Sequence, residues 1–284
     1  MSLSFLMTEK GIYQSMDYSI KQKINEDIQN QYLENQGHDY DMDLLFKVVS
    51  NTRKLLTLDL IEKEHSAKES LEIIDVLSSD TEKLIGTEKS REYISSLPSL
   101  RTLLFGTLDA IMEGDPASDS YSEVALCYPG FYAITNYRIG HVLYQLGEKT
   151  LGRLVTEDAH RKTGIDINPG ALIGDHFFID HGTGIVIGET AVIKDHVKLY
   201  QGVTLGALSL SKGKLLKGLK RHPTIESHVT IYSNASIFGG DTIIGEHTTI
   251  GANVYLTNSV NPYSIVFLGK EGIRQIPKVE DKHH

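Results

Sequence analysis

Two short clusters in this 284-residue sequence combine side chains that can move a proton and hold charged groups. The first is Asp180-His181-Gly182-Thr183-Gly184, and the second is Lys220-Arg221-His222-Pro223. An imidazole titrates near neutral pH, which makes His181 a candidate general base. Such a base works best beside a carboxylate that fixes its tautomer and stabilises the imidazolium. Asp166 lies fifteen residues before His181. That spacing would set it beneath the histidine if the chain advances in turns of about eighteen residues. The chain has twelve histidines, so an exposed and inert His181 is the competing reading of the spacing alone. Lys212, Lys214, Lys217, Lys220 and Arg221 fall within ten residues. They describe either a basic loop that holds phosphates as point charges or a plain solvated loop.

The element that must position these residues counts in sixes. Aliphatic residues recur at Ile167, Ile173, Ile179 and Ile185, then at Ile187, Ile193, Leu199 and Leu205. After an interruption they resume at Ile225, Ile231, Ile237 and Ile243, and again at Ile244, Ile250 and Leu256. Neither a helix nor an alternating strand has this period. A parallel β-coil does, because each repeat forms one face and stacking buries a continuous apolar column. Gly174, Gly188, Gly206, Gly245 and Gly251 each follow an aliphatic position, where a corner requires either positive φ or close backbone approach. The break between Leu205 and Ile225 is an insertion of the kind that solenoids place on one face.

Upstream of the coil the pattern is helical. Tyr13 to Gln36 carries Ile20, Ile24 and Ile28 on one stripe, with Gly37 as its stop. Asp41 is placed to cap a helix bearing Leu44, Leu45, Val48, Val49, Leu55, Leu56 and Leu60. Further helices are expected over Ala67–Leu77, over Thr81–Ser95 closed by Pro98, from Ser99 to about Gly114, over Gly130–Leu146, and over Leu151–Lys162 with Gly164 just beyond. The expected organisation is a helical domain over 1–164, the coil over 165–270 and a flexible tail over 271–284. No run of eighteen apolar residues exists, so no membrane span is expected. The first ten residues lack the features of a secretory signal. Cys127 is the single cysteine, which excludes an internal disulfide and fits a reducing cytoplasm. A net charge of −9 argues against a nucleic-acid binder.

Five motifs in order resemble serine O-acetyltransferases: Asp166-Ile167-Asn168-Pro169-Gly170-Ala171, then Asp180 to Ala191, Gln201 to Gly206, and Arg221-His222-Pro223, preceded by Asp115-Pro116-Ala117. The similarity covers the whole coil and reaches upstream through Gly130-Phe131 to Tyr137-Arg138-Ile139. It implies an α+β architecture in which an all-helical N-terminal domain precedes a left-handed parallel β-helix of hexapeptide repeats. It implies transfer of acetyl from acetyl-CoA to L-serine, as a step toward cysteine, with L-cysteine as feedback inhibitor and no permanently bound cofactor or metal. By resemblance His181 is the general base and Asp166 its orienting carboxylate. Asp115, Asp180, Arg221 and His222 would hold the amino acid, and Gly206, Ala207, Ser233 and Lys220 would contact acetyl-CoA. The site would lie between subunits of a homotrimer, alone or as a dimer of trimers.

The chain departs from that family in several places. The link between Gly206 and Arg221 is long, Ala207 replaces a usual glycine, and Asn168 stands where histidine is common. The chain ends Asp281-Lys282-His283-His284 in place of the isoleucine that docks into the next enzyme of the pathway, so that complex is not expected. Three rival readings keep the coil. His176 and His181, spaced H-x4-H, resemble part of the zinc set of γ-class carbonic anhydrases, but a zinc site needs a third protein ligand. An acetyltransferase for a sugar or another amine is the second rival, and a non-catalytic scaffold is the third.

Overall fold

A computed structural model describes residues 17–29, 40–61, 67–208, 218–270 and 272–278. The chain divides into two units, Met1–Tyr40 and Asp41–His284. The first contains α1 (Tyr18–Gln29), with Ile20, Ile24 and Ile28 all exposed. The rest of the helix expected over 13–36, and its stop at Gly37, lies outside the described residues.

The second unit begins with helices. Asp41 caps α2 (Met42–Ile61), its carboxylate accepting the Leu44 N–H at 2.9 Å, as its position predicts. Two expected breaks do not occur. Helix α3 (Ala67–Ile85) runs through Leu77–Thr81, where Thr81 is buried and returns its hydroxyl to the Leu77 carbonyl. Helix α4 (Thr87–Gly114) runs through Pro98. Leu97, Leu100 and Leu104 are buried on its inner side, and their packing outweighs the one backbone bond a proline removes. The chain instead breaks at Gly86, whose φ is 84°. A short helix that the pattern did not predict, α5 (Tyr121–Cys127), is capped by Ser120. Then follow α6 (Pro129–Gln145) and α7 (Lys149–Thr163), the last closed by left-handed Gly164.

From Asp166 the chain winds as a left-handed parallel β-helix with three faces. The first face stacks β1 (Asp166–Ile167), β4 (Val186–Ile187), β7 (Thr204–Gly206), β10 (Ser236–Phe238) and β13 (Tyr255–Leu256). The second stacks β2 (Leu172–Ile173), β5 (Val192–Ile193), β8 (Thr224–Ile225) and β11 (Ile243–Ile244). The third stacks β3 (Phe178–Asp180), β6 (Lys198–Tyr200), β9 (Thr230–Ile231), β12 (Thr249–Ile250) and β14 (Ser264–Gly269). The six-residue series form the buried column, with one exception. Ile243 is 45% exposed and Ile244 faces inward, because the corner at Gly239-Gly240-Asp241 holds one residue more. Of the five glycines that follow aliphatic positions, none has positive φ. They permit close approach instead, as where Gly245 meets Pro262. Left-handed corners are carried by histidine, asparagine, Tyr263 and other glycines such as Gly182. His176, His196, His228 and His247 stack along the second-to-third corner at centroid distances of 4.4–4.7 Å. The expected free tail is corrected over Gly272–Pro277, which form β15 and pair antiparallel with β14.

The first turn of the coil has no strand beneath it, and α6 fills that end. The Tyr137 hydroxyl donates to the Ala171 carbonyl at 2.6 Å, and the buried Arg138 guanidinium donates to the Ile173 and Gly174 carbonyls. Burial lowers the Arg138 pKa from its ordinary value, while Tyr137, Asp175 and Asp195 act in the opposite direction. Arg138→Met, which fills the space without donating, should reduce unfolding free energy by about 2–4 kcal/mol. Urea denaturation checks this, and an unchanged midpoint would show that α6 does not anchor the coil through this residue.

Candidate active site

The sequence-predicted residues gather at two corners of the coil. At the third-to-first corner, His181 follows β3 in a left-handed conformation (φ 56°) with its side chain 74% exposed. Gly182 continues the turn at φ 89°, and an added Cβ there would lie 2.7 Å from Ile179. The corner therefore needs glycine and lifts the imidazole into solvent. Left-handed backbone alone does not distinguish His181, since four other histidines share it. Nor does an adjacent aspartate, since Asp175 Oδ2 lies 3.3 Å from His176 Nδ1; what sets His181 apart is its place on this corner, away from the stacked column of the other four. Asp180 Oδ1 lies 3.7 Å from His181 Nε2, and its Oδ2 lies 3.9 Å from Lys198 Nζ.

Asp115 joins this corner from the helical side. Its N–H donates to the Ile111 carbonyl at the end of α4. Its carboxylate accepts the Ala117 N–H at 2.9 Å and the Tyr128 hydroxyl at 2.8 Å. These two bonds, the backbone one first, hold the Asp115 carboxyl below the usual range, with Lys198 and His181 contributing at longer reach. The same bond from the other side pushes Tyr128 up to about 12. Tyr128 and Lys198 carry no pattern in the sequence: Tyr128 reaches Asp115 from the junction of α5 and α6, and Lys198 reaches Gly114 from the coil, 84 residues away.

The second cluster lies at the first-to-second corner. Arg221 donates to Glu189, which also accepts the Tyr144 hydroxyl at 3.0 Å. The guanidinium bond first, and the tyrosine bond after the opposing effect of burial, hold the Glu189 carboxyl below its usual range. The backbone N–H groups of Arg221 and His222 both donate to Thr190 Oγ1, at 2.9 and 3.1 Å. The Thr190 N–H donates to His222 Nδ1 at 3.0 Å, which leaves the ring proton on Nε2. His222 is 8% exposed and turned into the corner against Gly188. It ties the returning loop to the Thr190 turn while Arg221 remains at the surface of the corner. Lys220 donates to the His222 carbonyl, and Gly206 ends β7 at the same corner, with Ala207 just beyond it. Lys212, Lys214 and Lys217 fall outside the described residues.

Two expected placements change. Asp166 pairs in register with Val186, five residues past His181 at the start of the first face, because the first turn spans twenty residues, from 166 to 186. It does not lie directly beneath the histidine; its ion pair is with Arg153 at 3.5 Å. Ser233 sits at the third-to-first corner, two turns above His181, and not with Gly206, Ala207 and Lys220. Glu157, His160 and Asp166 place ligand atoms within 4.8 Å of one another. Arg153 pairs with both carboxylates, so the group reads as an ion-pair network. His176 and His181 stand at opposite ends of β3, so the pair proposed for zinc does not converge.

No protein-family model matches the chain. It is 52% identical over 143 residues to the plasmid serine acetyltransferase of Synechococcus elongatus, covering 49% of this chain and 45% of that protein. The matched stretch thus spans about half the length of that curated relative. Among solved structures it is similar to Entamoeba histolytica serine acetyltransferase 1 in complex with L-cysteine, with TM-score 0.69 and 34% identity over 88% of this chain and 97% of that one. It is also similar to the Brucella abortus serine acetyltransferase in complex with coenzyme A, with TM-score 0.60 and 26% identity over 91% of this chain and 94% of that one.

The His222 environment predicts a pH dependence. Burial first, then the Arg221 and Lys220 charges, push its pKa from 6.5 down to about 4. The unfolded chain therefore binds this proton more readily than the folded one. The stability contributed by the neutral ring is complete above 6.5 and is lost as pH falls from there through about 4. Urea midpoints should fall across that window less for His222→Gln than for the parent chain. A ring titrating near 6.5 by NMR would overturn the assignment.

Proposed function

Because the chain belongs to the serine acetyltransferase family, we propose that it transfers the acetyl group of acetyl-CoA to the hydroxyl of L-serine and releases CoA. The observation that supports this most directly is the corner at which His181 stands beside Asp180 with Asp115 brought in from α4. Two carboxylates suit the ammonium of an amino acid, and a guanidinium suits its carboxylate. His181 takes the serine hydroxyl proton as the oxygen attacks the thioester carbon. The tetrahedral oxyanion is held by N–H groups near Gly206 and Ala207. Its collapse breaks the C–S bond, and the departing thiolate takes the proton from His181. Asp166 orients the imidazole, while Lys220 and Ser233 contact the acetyl-CoA. His222 acts through Arg221 by fixing the loop that carries it.

Within one chain His181 and Arg221 occupy different corners, separated by the width of the first face. We propose that a threefold homo-oligomer brings one copy's His181 corner against the next copy's Arg221 corner. L-cysteine, which differs from serine at the side-chain atom, would occupy the same amino-acid site and inhibit; the Entamoeba structure contains it. Among the described residues no helix is long and apolar enough to cross a membrane. A cytoplasmic location is proposed on the single cysteine.

Thiol release from acetyl-CoA should require serine and be competitively inhibited by cysteine; release independent of serine would refute the acceptor. His181→Ala should lower kcat roughly 10²–10⁴-fold with the fold intact. Mixed assemblies of His181→Ala and Arg221→Ala subunits should recover activity that neither variant has alone, since one seam regains both residues. No recovery in verified mixed oligomers would place the site within one subunit. Asp166→Asn should depress kcat; an unchanged kcat would transfer the orienting role to Asp180.

A further inference from the structure

Lys198 is an unusual lysine. It lies on β6, directly above Phe178 in the coil, and its side chain is 19% exposed. Its ammonium sits 4.4 Å from the Phe178 ring centroid and 4.9 Å from that of Tyr200. A cation between two aromatic faces is attracted by their quadrupoles and keeps little freedom. From that seat Nζ donates to the Gly114 carbonyl at 2.7 Å, the residue just before Asp115. It also lies 3.9 Å from Asp180 Oδ2. One side chain of the coil thus touches the backbone that carries one carboxylate and the carboxyl group of the other. Gly114 completes the fit from the helical side. A Cβ on it would lie 2.9 Å from Phe178 and 3.4 Å from Lys198 Nζ, so only glycine lets the end of α4 settle onto this ring and ammonium.

We infer that Lys198 is a positioning residue for the acceptor site: its caged ammonium fixes the spacing between Asp115 and Asp180 by holding the end of α4 against the third face of the coil. Its charge also offsets one of the two carboxylates. The corner then carries one net negative charge, matched to a single substrate ammonium, when His181 is neutral. Lys198 touches Gly114, Asp180, Phe178 and Tyr200 and none of the residues assigned to acetyl-CoA. Its loss therefore acts on the amino acid and leaves acetyl-CoA untouched.

The inference rests on the serine-acetylating reading, and the experiment separates the two. The parent protein must first show serine-dependent thiol release; failure there removes the activity and leaves Lys198 without a substrate to position. Given that activity, Lys198→Met fills the space between the rings without the charge or the donor. It should raise the KM for serine roughly tenfold to a hundredfold, the scale of a misplaced binding group. The KM for acetyl-CoA should not change. Lys198→Arg, which keeps a cation and donors, should recover part of the loss. Gly114→Ala, which presses on the same seat from the α4 side, should show the same selective rise. Calorimetric titration with L-serine should show the weakened binding directly. An unchanged serine KM in Lys198→Met overturns the inference. So does an equal loss for both substrates accompanied by a lowered melting temperature, because that pattern belongs to a residue that only supports the fold.

Discussion

A strand at the end of a parallel stack has one edge with no neighbour, and its backbone carbonyls must find donors elsewhere or stay unsatisfied at a cost of about 1–3 kcal/mol each. The first turn of this coil meets that requirement with side chains of α6. Tyr137 and Arg138 donate to Ala171, Ile173 and Gly174, and His141 Nδ1 lies 2.7 Å from the Pro169 carbonyl. This hydrogen-bonded plug makes the helices after Asp41 and the coil one compact unit. It also brings the end of α4 beside the His181 corner, since α4 packs against both α6 and β3. The carboxylate pair at Asp115 and Asp180 is a by-product of closing the open end of the β-helix.

The coil then divides labour among its corners. The third-to-first corner presents an exposed imidazole and acidic groups. The first-to-second corner presents Arg221, braced by Glu189, Tyr144 and the Thr190–His222 network. Each corner pairs charges of both signs, Lys198 with Asp180 at the first and Glu189 with Arg221 at the second. The flat first face between them keeps the His181 corner and the Arg221 corner apart within one chain.

Much of this was legible from residue types because the coil obeys a short repeat. A six-residue spacing fixes which side chains point inward, and the buried column at Ile167, Ile173, Ile179 and Ile185 follows from it directly. The same local logic found the Asp41 cap. It failed where distant packing decides. Pro98 should end a helix on its own chemistry, but its neighbours Leu97 and Leu100 are buried and the helix continues. Asp166 lies beneath Val186 and not beneath His181, because fifteen residues fall short of a turn that here holds twenty, two more than between Val186 and Thr204. Lys198 carried no signal at all, since its partners at Gly114 and Asp180 become neighbours only when the two layers meet.

The far end of the coil has a different cover. The outer strand of the third face is β15, which runs against the direction of every other strand in that face. A bare parallel edge is a template on which another chain can add strands without limit. An antiparallel edge strand does not offer that register, and with α6 blocking the opposite end neither end of the third face can continue a parallel stack. The stacking that most resembles an amyloid protofilament thus has, on this face, no bare parallel edge on which further copies could be templated.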